Sequence, residues 1–293
     1  MFSNIGGALT LIGDASNIII GGASGLSFLQ FIQNLWIPVL GASIFVILAF
    51  VLTNWKHLKP ISKNLVDLCI ANVIIKKVKK KFLKTTLHKD FVIKVVLLLV
   101  LTIVGFLLQH LIGLPNFVIA FIGAICLALL VHKRVEIHEA LKSVEWTTLF
   151  FFAGLFIMVA GVEKTGLLQL LSDWIAGSTS NLFYLSLIIL WVCGLLSMIL
   201  DNVPFVTVMI PVIIGIQAKF PGTDTTVLWW ALSMGACMGG NGSIIGGSAN
   251  VVTAGLAKKE GLHITFIEYL RFGLPITLGV LVICSAYLFF RYS

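Results

Sequence analysis

Cys237-Met-Gly-Gly-Asn-Gly-Ser-Ile-Ile-Gly-Gly-Ser-Ala-Asn-Val-Val252 decides how the rest of this chain is read. The stretch continues an apolar segment, yet Gly239, Gly240, Gly242, Gly246 and Gly247 stand within it. A glycine inside a helix costs roughly 1 kcal/mol relative to alanine. Five together predict a membrane helix that is broken here. The freed backbone groups then need protein partners, because lipid supplies none. Breaks of this kind line a cavity and turn half-helix ends toward a substrate or ion.

The same pattern opens the chain. Residues 6–18 read GGALTLIGDASNI, and residues 239–251 read GGNGSIIGGSANV. Gly6, Gly7, Thr10, Ile12, Gly13 and Asn17 align with Gly239, Gly240, Ser243, Ile245, Gly246 and Asn250. Downstream, SFLQFI at 27–32 pairs with TFIEYL at 265–270, and Pro38 with Pro275. Glycine-interrupted segments in corresponding halves are the sequence pointer to a transporter binding site.

Composition agrees. Hydrophobic residues make up 59% of the 293 and charged residues 11%, where a soluble domain carries about 25% charged. The expectation is an integral, multi-pass, all-α membrane protein. The net charge of +8 does not point to nucleic acid, because eleven lysines fall between Asn54 and Lys94. That loop is read as a cytoplasmic topological anchor. Cys69, Cys126, Cys193, Cys237 and Cys284 form no CxxC pair and are read as small apolar residues. The start has no positively charged segment followed by a clean apolar run, so no cleavable signal is expected.

Three regions follow: 1–53 as the tail of a first transporter repeat, 54–90 as the basic loop, and 91–293 as a second repeat. Met1 falls close to the first break, so the chain is expected to be the downstream part of a longer protein. Trp36–Thr53, Phe91–Leu111, Asn116–Val131, Trp146–Val162 and Phe272–Phe290 are spanning candidates. Residues 132–142 read as a short interfacial helix, and 167–181 as an interfacial turn. Leu182–Ile216 is interrupted at Asp201-Asn202-Val-Pro204. Proline lacks an N–H and disfavours helix at the residue before it. Two half-length helices meeting at this tip predict a re-entrant hairpin. Asp201 stands out, because a carboxylate inside a membrane is costly unless paired, protonated or ion-bound. It also suits a helix cap.

GGALTLIGDASN, GGNGSIIGGSAN, SVEWTTLFFFAGLFIMVAGVEKTG and LDNVPFVTVMIPV together resemble the ion transporter superfamily. That group includes arsenite permeases, NhaD-type sodium/proton antiporters, citrate carriers and the P-protein permeases, the last being the nearest likeness. The resemblance implies two inverted repeats, each with a re-entrant hairpin and an unwound helix, of which the first repeat is incomplete here. Carried over by position, Asp201 and Asn202 occupy the second hairpin tip. Gly240, Asn241, Gly242, Ser243, Gly246, Ser248 and Asn250 occupy the second unwound stretch. Thr10, Gly13, Asp14 and Asn17 occupy the first. Carboxylate carriers show Ser-Asn-Thr at the tip, and Asp-Asn-Val here weighs against a dicarboxylate.

The function expected on this basis is secondary transport or permeation of a small ion or small-molecule substrate. Sodium or a proton is the expected coupling ion, with sodium placed near Asp201, Asn202 and Asn241, and no other cofactor. The lipid bilayer is the expected environment, and a homodimer stays open. The alternative is a non-transporting fragment or interaction subunit that needs an upstream partner. Leu11-Ile-Gly-Asp14 approaches the GxGD string of intramembrane aspartyl proteases, but Leu11 replaces its first glycine. No phosphate-binding or dinucleotide fingerprint is present, and the chain is not read as an enzyme.

Overall fold

The computed structural model describes residues 1–55, 75, 89–131, 137–142, 144–259 and 261–292. Most of the basic stretch 54–90 and residues 132–136 lie outside them, so the topological anchor does too. The described elements are helical throughout. Contacts divide the chain into two units, Met1–Ile47 with Glu145–Ser293, and Leu48–Val144.

In the second unit, α4 (Lys89–Leu107) packs against α6 (Asn116–Val131). Gly105 and Gly123 let them approach: a Cβ on Gly105 would come within 2.9 Å of Ile119, and one on Gly123 within 2.6 Å of Thr102. A short α5 (Gln109–Ile112) and the left-handed Gly113 turn the chain between them. α7 (Ile137–Lys142) is the short helix expected there.

The first unit begins with a stub, α1 (Phe2–Gly7), then a break, then α2 (Ala15–Ser24) and α3 (Phe28–Asn54), which runs into the second unit. After Glu145 come α8 (Trp146–Lys164), α9 (Leu167–Ser178), α10 (Leu182–Ser197) and α11 (Asn202–Gln217). α12 (Thr226–Gly239) ends in one tight turn, Gly240–Gly242, and α13 (Ser248–Lys259) resumes after it. α14 (Phe266–Tyr292) closes the chain. Phe28–Thr53, Trp146–Lys164 and Phe266–Tyr292 are long and apolar enough to cross a membrane. Outward faces such as Phe150, Ile157 and Phe290 are apolar and exposed, which suits hydrocarbon as solvent.

α12 is the hub: every residue from Val227 to Gly239 is buried. It runs along α10, and it also meets α1, α2, α11 and α14. Trp230 meets Phe31 of α3 edge to face at 5.2 Å, a favoured geometry for an aromatic pair.

Residues 167–178 are a helix, not the interfacial turn expected there. Gly166, at φ 77°, reverses the chain after α8, a conformation glycine adopts without strain. Leu168, Ser172 and Ile175 then bury one face of α9, and that helix packs on α11. A Cβ on Gly215 would come within 2.5 Å of the Ser172 hydroxyl. In the same region the exposed Lys219 ammonium contacts Asp173 at 2.5 Å and holds its carboxyl below the usual range.

The repeated SFLQFI and TFIEYL strings are reciprocal helix caps. At α3, the Ser27 N–H donates to Gln30 Oε1 at 2.8 Å and the Gln30 N–H to Ser27 Oγ at 3.3 Å. At α14, the Thr265 N–H donates to Glu268 Oε2 at 2.9 Å and the Glu268 N–H to Thr265 Oγ1 at 3.3 Å. This is a capping box, which satisfies two orphan donors of a helix start. It explains why α14 begins at Phe266, earlier than the expected Phe272. Replacing an N-cap Thr by Ala costs about 1 kcal/mol. Thr265→Ala is therefore expected to speed hydrogen exchange of the Glu268 amide about fivefold, and an unchanged rate would show that the box does not hold the helix start.

Candidate functional site

Two breaks face each other, and each is held by its own asparagine. Asn17 Nδ2 donates to the carbonyls of Gly7 at 3.2 Å, Ala8 at 3.3 Å and Thr10 at 3.1 Å. Asn250 Nδ2 donates to the carbonyls of Gly240 at 2.8 Å and Ser243 at 3.0 Å. Gly7 and Gly240, and Thr10 and Ser243, are equivalent positions of the repeated string. The buried amides thus supply the donors that carbonyls freed from a helix require.

The glycines of the breaks serve close approach, not left-handed backbone. Among described residues positive φ occurs only at Gly25, Gly113, Gly166, Gly222 and Gly261. A Cβ on Gly7 would come within 2.9 Å of the Gly13 carbonyl, and one on Gly246 within 2.9 Å of the Gly240 carbonyl. These are again equivalent pairs.

Polar side chains cross-link the two breaks. Asn4 Nδ2 donates to Asn241 Oδ1 at 3.1 Å, and Ser233 Oγ donates to Asn17 Oδ1 at 2.7 Å. Ser16 Oγ lies 3.4 Å from Cys237 Sγ. The Asp201–Pro204 segment joins the second break through Asn202. With its Nδ2 turned to the surrounding acceptors, Asn202 donates to Ser197 Oγ at 2.5 Å, Ala236 O at 3.1 Å and Gly246 O at 2.9 Å. Ser197 Oγ donates to Ala236 O at 2.7 Å, so its oxygen is an acceptor toward Asn202. Ser243 Oγ donates to the Met198 carbonyl, which ties the break to the end of α10.

A cavity of about 540 Å³ opens where these parts meet. Four helix starts line it: Asp14–Ala15 of α2, Asp201–Asn202–Val203 of α11, Gly247–Ser248–Ala249 of α13, and Glu145 with Thr147 and Thr148 of α8. Each start adds partial positive charge and free N–H groups. Asp14, Asp201 and Glu145 bring three carboxylates, and among the described residues no Lys, Arg or His lines the space. Asp14 is turned onto its own helix, accepting from the Ser16 N–H at 2.9 Å and Oγ at 2.7 Å. Glu145 accepts from Thr148 Oγ1 at 3.1 Å. Asp201 sits at the N-cap of α11 without a side-chain capping bond, and it is exposed to the cavity.

Of the residues singled out from the sequence, Gly13, Asp14, Asp201, Asn202 and Ser248 line this cavity. Thr10, Asn17, Ser243 and Asn250 support the breaks behind it. Asn241 is buried against Asn4, and Gly240, Gly242 and Gly246 sit at close backbone contacts. Glu145, Asn4, Ser197 and Ser233 went unnoticed. Only Glu145 carried a local signal, an acid directly before an apolar span.

α10 and α11 have 16 residues each, about 24 Å against the ~30 Å of a bilayer core. α10 packs chiefly on α12, and α11 chiefly on α9 and α2, rather than on each other.

A family model described as citrate transporter matches residues 1–235. An uncharacterized transporter of Mycobacterium tuberculosis is 33% identical over 294 residues, which cover 99% of this chain and 65% of the relative. The 46 kDa membrane protein of Mycobacterium leprae is 34% identical over 293 residues, covering 99% and 66%. The P protein of Homo sapiens is 36% identical over 180 residues, covering 58% of this chain and 21% of its own length. The chain thus spans about two thirds of the length of its mycobacterial relatives. With a matching family model over most of its residues, the chain belongs to the citrate transporter family of integral, multi-pass membrane transporters.

Proposed function

We propose that the chain forms the cargo-binding part of a secondary transporter that moves a small ion across the bilayer by alternating access. In this reading the two broken stretches belong to inverted repeats, and α10 and α11 are the arms of a re-entrant hairpin with Asp201–Pro204 at its tip. The observation that carries the reading is the cavity itself, with four helix starts and three carboxylates but no basic side chain.

The two charge signs divide the work. Helix N–H groups favour an anion. The carboxylates favour a cation or proton. A free polyanion meets three acids, so a citrate-like carboxylate enters together with its cation or proton. The departure of the tip from the Ser-Asn-Thr of dicarboxylate carriers weighs against a free polyanion, and entry together with a cation or proton meets that objection. Asp201, the cavity carboxylate that stands at the start of α11 next to Asn202, is the group that binds the coupling sodium or proton.

Reconstitution into proteoliposomes tests this. Asp201→Asn is expected to lower coupled citrate uptake at least tenfold while leaving the melting temperature near that of the parent. Unchanged uptake removes Asp201 from the mechanism. A second reading rests on the 65% coverage of the relatives, namely that transport needs a further segment such as they contain. Flux that appears only when that segment is supplied in trans supports it.

A further inference from the structure

We propose that an organic cation, a lipophilic amine with a compact apolar body, binds in a second cavity between α2, α8 and α11. The site is separate from the cargo cavity and does not rest on the transport reading.

The cavity holds about 420 Å³, within the range of small-molecule sites. The cargo cavity takes the starts of these three helices, and this one takes their later turns. Gly22 and Ala23 of α2, Phe156 and Glu163 of α8, and Thr207 and Pro211 of α11 line it, and the rest of its wall is aliphatic. Gly22, Ala23, Phe156 and Glu163 are exposed, so the cavity is entered from the surface.

Three features give this lining a negative character. Glu163 stands in the last turn of α8, where the helix end already carries partial negative charge. Among the described residues no cation pairs with it, and no Lys, Arg or His lines the cavity. Pro211 lies inside α11 and has no N–H, so the Thr207 carbonyl four residues earlier loses its helical donor. At the end of α2, the Gly25 N–H returns to the Gly21 carbonyl at 3.0 Å. Gly22 and Ala23 follow in the last turn, whose carbonyls have no donor within the helix. Carboxylate and freed carbonyls thus come from three different helices around one space. Phe156 adds an aromatic ring, a surface that cations favour.

The remaining wall decides what kind of cation fits. Aliphatic side chains give a bare metal ion too few oxygens and offer no partners to the water of a hydrated one. An ammonium on a hydrocarbon body suits both halves. Its N–H groups meet the oxygens, and its body removes apolar surface from water.

The test is a melting titration of the purified chain in dodecyl maltoside with three probes of one shape: adamantylammonium, adamantanol and adamantane carboxylate. A ligand that binds only the folded state raises stability with concentration. The ammonium is expected to stabilise the parent and Asp201→Asn alike, at concentrations at least tenfold below those the alcohol needs. The carboxylate is expected to do nothing. Glu163→Gln should require at least tenfold more ammonium for the same rise. Should Glu163→Gln fail to fold, Gly22→Leu is held to the same criterion, since a Cβ on Gly22 meets nothing within 4 Å and leucine there takes up cavity space. Equal rises with ammonium and alcohol mean an apolar crevice without charge selection and overturn the proposal. An ammonium rise kept by Glu163→Gln, or lost in Asp201→Asn only, places the amine elsewhere and overturns it as well. A rise abolished by added phosphatidylethanolamine assigns the seat to a lipid headgroup and overturns the free amine. Because the readout is binding, loss of flux in Asp201→Asn bears only on the transport reading.

Discussion

Gly239→Val is expected to abolish recovery of folded protein. Gly239 sits where α12 crosses α10, and a Cβ there would come within 2.7 Å of the Gly194 Cα and 2.9 Å of its carbonyl carbon. Those are backbone atoms, so no rotamer change relieves the clash. One turn earlier, a Cβ on Gly235 would come within 2.7 Å of the Leu190 carbonyl and 2.8 Å of Cys193 Cβ. Gly194, Gly235 and Gly239 thus make a small-residue seam of the kind that lets membrane helices touch backbone to backbone. Overpacking a core costs about 1–3 kcal/mol. Here the whole of α12 is buried and cannot move outward, so the expected cost is at or above the top of that range. Parting the helices would also stretch the Ser197 Oγ to Ala236 O bond of 2.7 Å. Gly161→Ala is the control, because a Cβ there meets nothing within 4 Å, and it is expected to be neutral or stabilising by up to about 1 kcal/mol. Size-exclusion profiles in detergent report both variants. A Gly239→Val protein that elutes and melts like the parent would show that the seam is not tight.

The two breaks could be read from the sequence, because the information is local. Glycine clusters in an apolar run mark a break whatever lies around them. The repeated strings at 6–18 and 239–251 return as equivalent bonds from Asn17 and Asn250 to their own carbonyls. What the strings could not give is the direction in which each amide faces. In both asparagines the nitrogen is held by backbone carbonyls of the break, and the cavity wall comes from the helix starts. Glu145, Asn4 and Ser233 stayed invisible for a different reason. For Asn4 and Ser233 the significance lies in partners, Asn241 and Asn17, more than 200 residues away in sequence. The helix at Leu167–Ser178 differs from the turn expected there because its polar face reads as loop, while Leu168, Ser172 and Ile175 form one face that docks on α11.

Asn202→Asp is expected to do more harm than Asn202→Ala, although aspartate has nearly the shape of the native residue. Asn202 is 4% exposed, and its Nδ2 donates to three acceptors: Ser197 Oγ, Ala236 O and Gly246 O. These belong to the end of α10, the hub helix α12 and the second break, so one amide group pins the tip to the broken helix. Alanine takes this donor from all three; Ser197 Oγ and Ala236 O keep the bond between them, while Gly246 O loses the Asn202 donor, at about 1–3 kcal/mol for a buried group left unsatisfied. Aspartate does this too and sets a carboxylate against carbonyl oxygens, where burial and like-signed partial charges both oppose it. It can keep a bond only by holding a proton, and a protonated carboxyl donates once where the amide donates through two hydrogens. The expected order of melting temperatures is parent, then Asn202→Ala, then Asn202→Asp at neutral pH. Acid should narrow the gap between the two variants, since protonation removes the buried charge. On the proposed transport reading, citrate flux is expected to fall at least a hundredfold in both, because an unpinned Asp201–Pro204 segment lets Asp201 leave the mouth of the cavity. If Asn202→Asp melts and transports like the parent, then the amide presents its oxygen rather than its nitrogen to this ring, and the tip is held by something other than Asn202.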